Sequence, residues 1–233
     1  MSIISTAAKG MPCPTPPASQ YWANWNASVC DPYILRRDTR IYWAPQSCGT
    51  VGQCVGTFYG ENPGGGESIN GQKFSGYSPI VDNNKQSGDK TLRLILQIWQ
   101  ATNQTPNGDD YIEILNLYYF RDASSRTALV PWRSLCGALL YNPNVSLSSD
   151  FILLGWGNSM NNQPEALAAI QNIQSHKNII IPDSSGTIVP YSGSLLNLLI
   201  SATPSCPAMP SWFINFGGIP YQVQYITNVA ARI

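Results

Sequence analysis

The apolar residues of this chain arrive in short runs, each about as long as a strand and bounded by glycine, proline, asparagine or aspartate. Such spacing restricts the fold to short elements joined by turns, because Gly and Pro punctuate the backbone and Asn and Asp accept turn conformations. No run approaches the ~20 apolar residues that span a bilayer, so no membrane span is expected. The longest, Thr91 to Trp99 and Leu195 to Ile200, are strand-sized, and Arg93 and Gln97 interrupt the first.

Residues 1–32 read as an extended arm, and residues 33–233 as a single β-sandwich domain. Pro12, Pro14, Pro16 and Pro17 disfavour helix and favour polyproline-like backbone. Tyr33 to Trp43 is the first strand, with Tyr33, Leu35, Ile41 and Trp43 on one face and Arg36, Asp38 and Arg40 on a solvated one. Val51 to Tyr59 is the second. The strongest hairpin signal joins Thr91–Gln100 to Tyr111–Arg121. Leu92, Leu94, Leu96 and Ile98 line one face there, and Pro106 and Asn107-Gly108 supply the turn. Ile112 and Ile114 are out of phase with Leu115, Leu117 and Tyr119, which a bulge or burial on both faces reconciles.

Further short strands are expected at Ala138–Tyr141, Phe151–Trp156, Asn178–Ile181 and Leu195–Ser201, with Tyr221 to Val229 as the alternating last strand. Only Pro164–Ser175 reads as helix: Pro164-Glu165 opens it, and Leu167, Ile170 and Ile173 recur at helical spacing. These elements describe an all-β fold, an antiparallel β-sandwich of jelly-roll-like pattern with a Pro-rich N-terminal arm and one short helix.

Charge narrows the partners. Only 11% of residues are charged, and 13 Lys plus Arg balance 13 Asp plus Glu, whereas soluble domains carry about 25% charged residues. A surface with few charges and no net charge does not repel its own copies. Beyond Arg36-Arg37 and Arg40 there is no basic cluster, so no nucleic-acid contact is expected. The N-terminus lacks the basic stretch and apolar core of a secretory signal. A virion or other extracellular assembly, made without a visible signal peptide, is the expected location.

The chemical inventory is thin. None of the six cysteines forms a C-x-x-C pair, and Cys48 and Cys54 with one remote histidine make a poor zinc site, so neither metal nor cofactor is expected. A turn between Cys48 and Cys54 brings their Cα atoms to about 5.5 Å, which makes them a candidate disulfide. Reduced, buried thiols are the competing reading. His176 is the only histidine, and its place after the helix gives it a structural role at the helix C-terminus. Asp109, Asp110 and Glu113 read as solvated turn residues, and Gly64-Gly65-Gly66 as a flexible loop without phosphate-cradle context. No catalytic residue is assigned.

Tyr21, Trp22, Trp25, Trp43 and Trp132 fit either a sugar-stacking platform or aromatic anchors. Tyr21, Trp22 and Trp25 are taken as arm anchors at an interface, where Trp and Tyr are enriched. The expected function is therefore non-enzymatic: a structural or assembly protein, such as a virion capsid or minor-capsid subunit, packing against copies of itself or other coat subunits. The alternative is a carbohydrate-binding, lectin-like secreted or surface module with a glycan as its ligand.

Overall fold

The computed structural model describes residues 21–30, 33–42, 52–62, 76–80, 90–102, 110–120, 122, 124–135, 149–156, 163–176, 178–182, 215–216 and 219–233. Within them, a mixed seven-stranded sheet is accompanied by four helices, and about 38% of these residues are helical. The expected all-β antiparallel sandwich is therefore replaced by a mixed α/β fold.

The sheet runs in the order β4-β1-β2-β5-β3-β6-β7. Its strands are β1 (Tyr21–Cys30), β2 (Tyr33–Tyr42), β3 (Cys54–Gly60), β4 (Gly76–Ile80), β5 (Tyr111–Asn116), β6 (Ile152–Gly155) and β7 (Ile179–Ile180). One half is antiparallel, β4 to β1, β1 to β2 and β2 to β5. The other half, β5-β3-β6-β7, is parallel throughout. Numbered along the chain, the parallel strands lie in the order 2-1-3-4, the arrangement of a doubly wound sheet. A separate two-stranded pair joins β8 (Asn215–Phe216) to β9 (Ile219–Pro220).

Helices cover both faces, as parallel strands require. On one face, α1 (Lys90–Gln100) and α4 (Tyr221–Ala230) bury Ile41, Phe58, Ile112, Ile114, Leu153 and Ile180. On the other, α2 (Ser125–Leu135) and α3 (Pro164–Ile173) bury Tyr59, Leu115, Ile152, Leu154 and Trp156. Strand alternation assigns the sides: Phe58 faces one layer and Tyr59 the other, as do Leu153 and Leu154. The parallel strands are thus buried on both faces, which accounts for the two apolar phases of β5.

The first strand of the expected hairpin, Thr91–Gln100, is helix α1. Leu92, Leu94, Leu96 and Ile98 are buried as their alternation suggests, but so are Ile95 and Trp99, because the helix is enclosed nearly all round. The alternating segment from Tyr221 is helix α4. Its core contacts, Ile226, Val229, Ala230 and Ile233, recur at helical spacing.

The strands expected at Tyr33–Trp43, Val51–Tyr59, Phe151–Trp156 and Asn178–Ile181 correspond to β2, β3, β6 and β7, and the expected helix to α3. Those at Ala138–Tyr141 and Leu195–Ser201 lie outside the described residues. Residues 21–30, expected in the arm, run as β1 between β4 and β2, while residues 1–20 lie outside the description. Among the described residues, no helix is long and apolar enough to cross a membrane.

Candidate functional site

Most chemistry-bearing side chains of the described residues gather at the amino ends of the parallel strands. His176 follows α3 and lies beside the chain entering β6. Its Nδ1 accepts from the Asn178 backbone N–H at 3.2 Å, so the neutral ring carries its proton on Nε2, which faces the Ser149 carbonyl at 2.8 Å. The Ser149 hydroxyl is 3.5 Å from Nε2, receives the Thr57 hydroxyl at 3.3 Å and donates to the Phe151 carbonyl at 3.4 Å. A ring in this state offers Ser149 no acceptor, so the pair is not an activated nucleophile. Both ring nitrogens serve to join the starts of β6 and β7.

A second group lies nearby on β2, β5 and β3. The Arg40 guanidinium carbon sits 4.3 Å from the centre of the Tyr111 ring, and the Tyr42 ring is 5.9 Å from that of Tyr111. Register places Arg40 beside Glu113 and Glu113 beside Thr57. Burial, helped by the Glu113 charge, pushes the Cys54 thiol above its ordinary range. Burial also raises the Tyr111 hydroxyl, against the pull of Arg40. Both shifts keep the nucleophilic forms scarce. Asp110 is buried and accepts from the Gln53 backbone N–H at 3.0 Å, so it closes the entry to β3 rather than forming a solvated turn.

A third group clamps two helices. Arg133, in the last turn of α2, reaches both oxygens of Glu165, in the first turn of α3, at 2.8 and 2.7 Å, and Gln163 at 2.8 Å. Burial alone would raise the Glu165 carboxyl. The hydrogen bonds and charge of Arg133 outweigh it and hold the group below its ordinary value.

Of the residues singled out in the sequence, Tyr21, Trp22 and Trp25 fall on β1, each paired in register with β4. Cys54 begins β3 as a half-buried free thiol 3.3 Å from the Gly56 carbonyl, whereas Cys48, its candidate disulfide partner, lies outside the described residues. Trp132 is 3% exposed and wedged against Tyr119 and Phe120, so it cannot join a sugar-stacking platform. Arg36 is buried and Arg40 half-buried, which corrects the expectation that this face of β2 is solvated. Among the described residues, no group of three or more His, Cys, Asp or Glu side chains is placed to hold a metal ion.

Comparison with protein-family models, with curated proteins and with solved structures finds no match.

Proposed function

We propose that the protein is a non-enzymatic subunit that works by packing against other chains, copies of itself first among them. The observation that carries this reading is the state of His176: both nitrogens of the only histidine are engaged with backbone, so the histidine is not free to act as the general base for a nucleophile. Glu165 is tied to Arg133, and the Cys54 thiol is held in its unreactive form. The chain's zero net charge supports association, because like copies meet little electrostatic barrier.

Val130 is the single exposed large apolar side chain among the described residues. An interface on the described surface would therefore be largely polar, in keeping with the abundance of Asn, Gln, Ser and Thr. Main-chain pairing at a sheet edge needs no apolar patch, and residues 1–20, with their four prolines, suit an extended strand-like contact. A virion coat remains one setting for such a subunit, although a jelly-roll pattern no longer argues for it.

Deletion of residues 1–20 tests the proposal without cutting β1. The shortened chain should keep the circular dichroism and cooperative melt of the full chain and lose its higher-mass species in light scattering. Unchanged assembly by the truncated chain refutes the arm's role. A full chain that stays monomeric and binds an immobilised glycan supports the lectin-like alternative instead.

A further inference from the structure

β7 is two residues long and lies at the edge of the sheet, paired with β6. So short a strand has little ladder of its own, and its place depends on the bonds at its entry. Asn178 makes three of them. Its carbonyl accepts from the Ile152 N–H at 2.9 Å, its carboxamide donates to the Asp150 carbonyl at 3.0 Å, and its own N–H donates to His176 Nδ1 at 3.2 Å. The last bond closes a turn in which a side-chain acceptor takes the N–H two residues on, the part that Asn or Asp ordinarily plays. In His176 the acceptor is a lone pair that a proton can occupy.

The two ring nitrogens respond differently to that proton. Nε2 already carries hydrogen and points it at the Ser149 carbonyl at 2.8 Å, so protonation keeps this bond and adds charge to it. A backbone N–H only donates, so it has no bond to make with an Nδ1 that carries hydrogen, and the two hydrogens are set against each other. The ring therefore stays with the chain entering β6 and lets go of Asn178. His176 is half-buried and Asn178 exposed, so water reaches the freed N–H and the turn opens without leaving a donor buried and unpaired.

The charges near the ring are few. α3 carries none from Leu167 to Ser175, β3 brings the uncharged Thr57 and the neutral Cys54 thiol, and Asp110 is turned to the Gln53 N–H. Asp150 follows Ser149 in the chain entering β6 and is exposed, and Lys177 adjoins His176 in the sequence.

We propose that His176 is a proton-operated latch on the edge of the sheet. Neutral, it holds the entry to β7 closed; protonated, it releases Asn178 and with it the acceptor of the Ile152 N–H. An edge N–H freed in this way is the group that strand pairing takes up.

The test is amide hydrogen exchange, with nitrogen NMR of the ring, on the full chain between about pH 8 and pH 5, the span over which histidine changes charge. At the alkaline end the ring should carry hydrogen on Nε2 and none on Nδ1. As it gains the second proton, protection of the Ile152 amide, corrected for intrinsic exchange, should fall about tenfold. The Thr57 amide donates to the Phe151 carbonyl at 2.9 Å on the other side of β6, and it should keep its protection, which separates local release from global unfolding. His176→Asn sets a carboxamide oxygen near the place of Nδ1 and holds the turn without a titrating group, so its Ile152 protection should be the same at both ends. A ring with hydrogen on Nδ1 at the alkaline end, or one that takes up no proton across the span, overturns the inference. So does Ile152 protection that is unchanged as the ring protonates, or that falls together with that of Thr57. His176→Asn that loosens in acid like the wild type overturns it as well, because Asp150 and Lys177 are both still present there.

Discussion

The Arg133–Glu165 clamp offers the sharpest test of how the two helices of one layer are held together. Arg133→Met removes the cation but keeps much of the aliphatic stem. The Glu165 side chain is 3% exposed, so its carboxylate would be left in a poor solvent. Breaking a fully buried ion pair costs about 3–5 kcal/mol, whereas an exposed pair is worth at most about 1 kcal/mol. Arg133 is 42% exposed, so water can approach from its side. The expected loss therefore lies between the two limits, at about 2 kcal/mol. For a chain of this size that corresponds to about 4–8 °C in melting temperature.

The pH dependence carries the sign. Because the folded Glu165 carboxyl is held below its ordinary value, its contribution is complete above the unfolded pKa, near ~4.3, and is lost as pH falls through the lower folded value. In Arg133→Met the burial, the largest influence, is opposed only by the hydrogen bond from the residue's own backbone N–H, so the folded pKa rises. Protonation then relieves the variant, so the gap between variant and wild type should narrow on acidification. Arg133→Met combined with Glu165→Met should recover most of the loss, since no buried charge remains unpaired. Thermal melts of the three proteins at neutral and acid pH measure all of this. A single variant that melts with the wild type, or a double variant less stable than the single, refutes the reasoning.

Gly56→Ala should destabilise by about 1–3 kcal/mol, seen in a denaturant titration, because its Cβ would enter the ring of Phe151, a core residue with little room to move. Leu96→Ala should cost about 2–3 kcal/mol by the same titration, in the lower part of the range for core leucines since the side chain is 7% exposed. Alkylation of Cys54 in the native protein, followed by mass spectrometry, should be slow at neutral pH and accelerate only at alkaline pH beyond that of a free thiol, because burial raises its pKa.

Much of the fold was legible where a segment had a single period. β2, β3, β6 and α3 follow from alternation, bounding glycines and a helix-opening proline. Burial was legible even where element type was not: Leu94, Leu96, Ile98, Leu117 and Leu153 are core residues as their patterns suggest. The two misread helices have a common cause. In α1, burial on nearly every side satisfies period 2 and period 3.6 together, and a run of 11 residues does not separate them. In α4, Tyr221, Val223 and Tyr225 alternate in the sequence, while Ile226, Val229, Ala230 and Ile233 recur at helical spacing.

Helix α2 was masked by Pro131 inside it, although Ser124, whose carbonyl accepts from the Ala128 N–H at 3.1 Å, marks its start. The parallel half had one visible sign, the unbroken apolar stretch Phe151 to Leu154, which a strand solvated on one face would not show. The site residues were less accessible. His176 was expected at a helix C-terminus, but its bonds to Ser149 and Asn178 depend on contacts no local pattern encodes.

The claim that the protein acts by packing against other chains is met most directly by sedimentation velocity of the full chain over a wide range of concentration. The proposed function predicts a mass that rises with concentration and responds little to salt, because the association depends on uncharged surface. A species that stays at the monomer mass of 25.5 kDa at every concentration contradicts it.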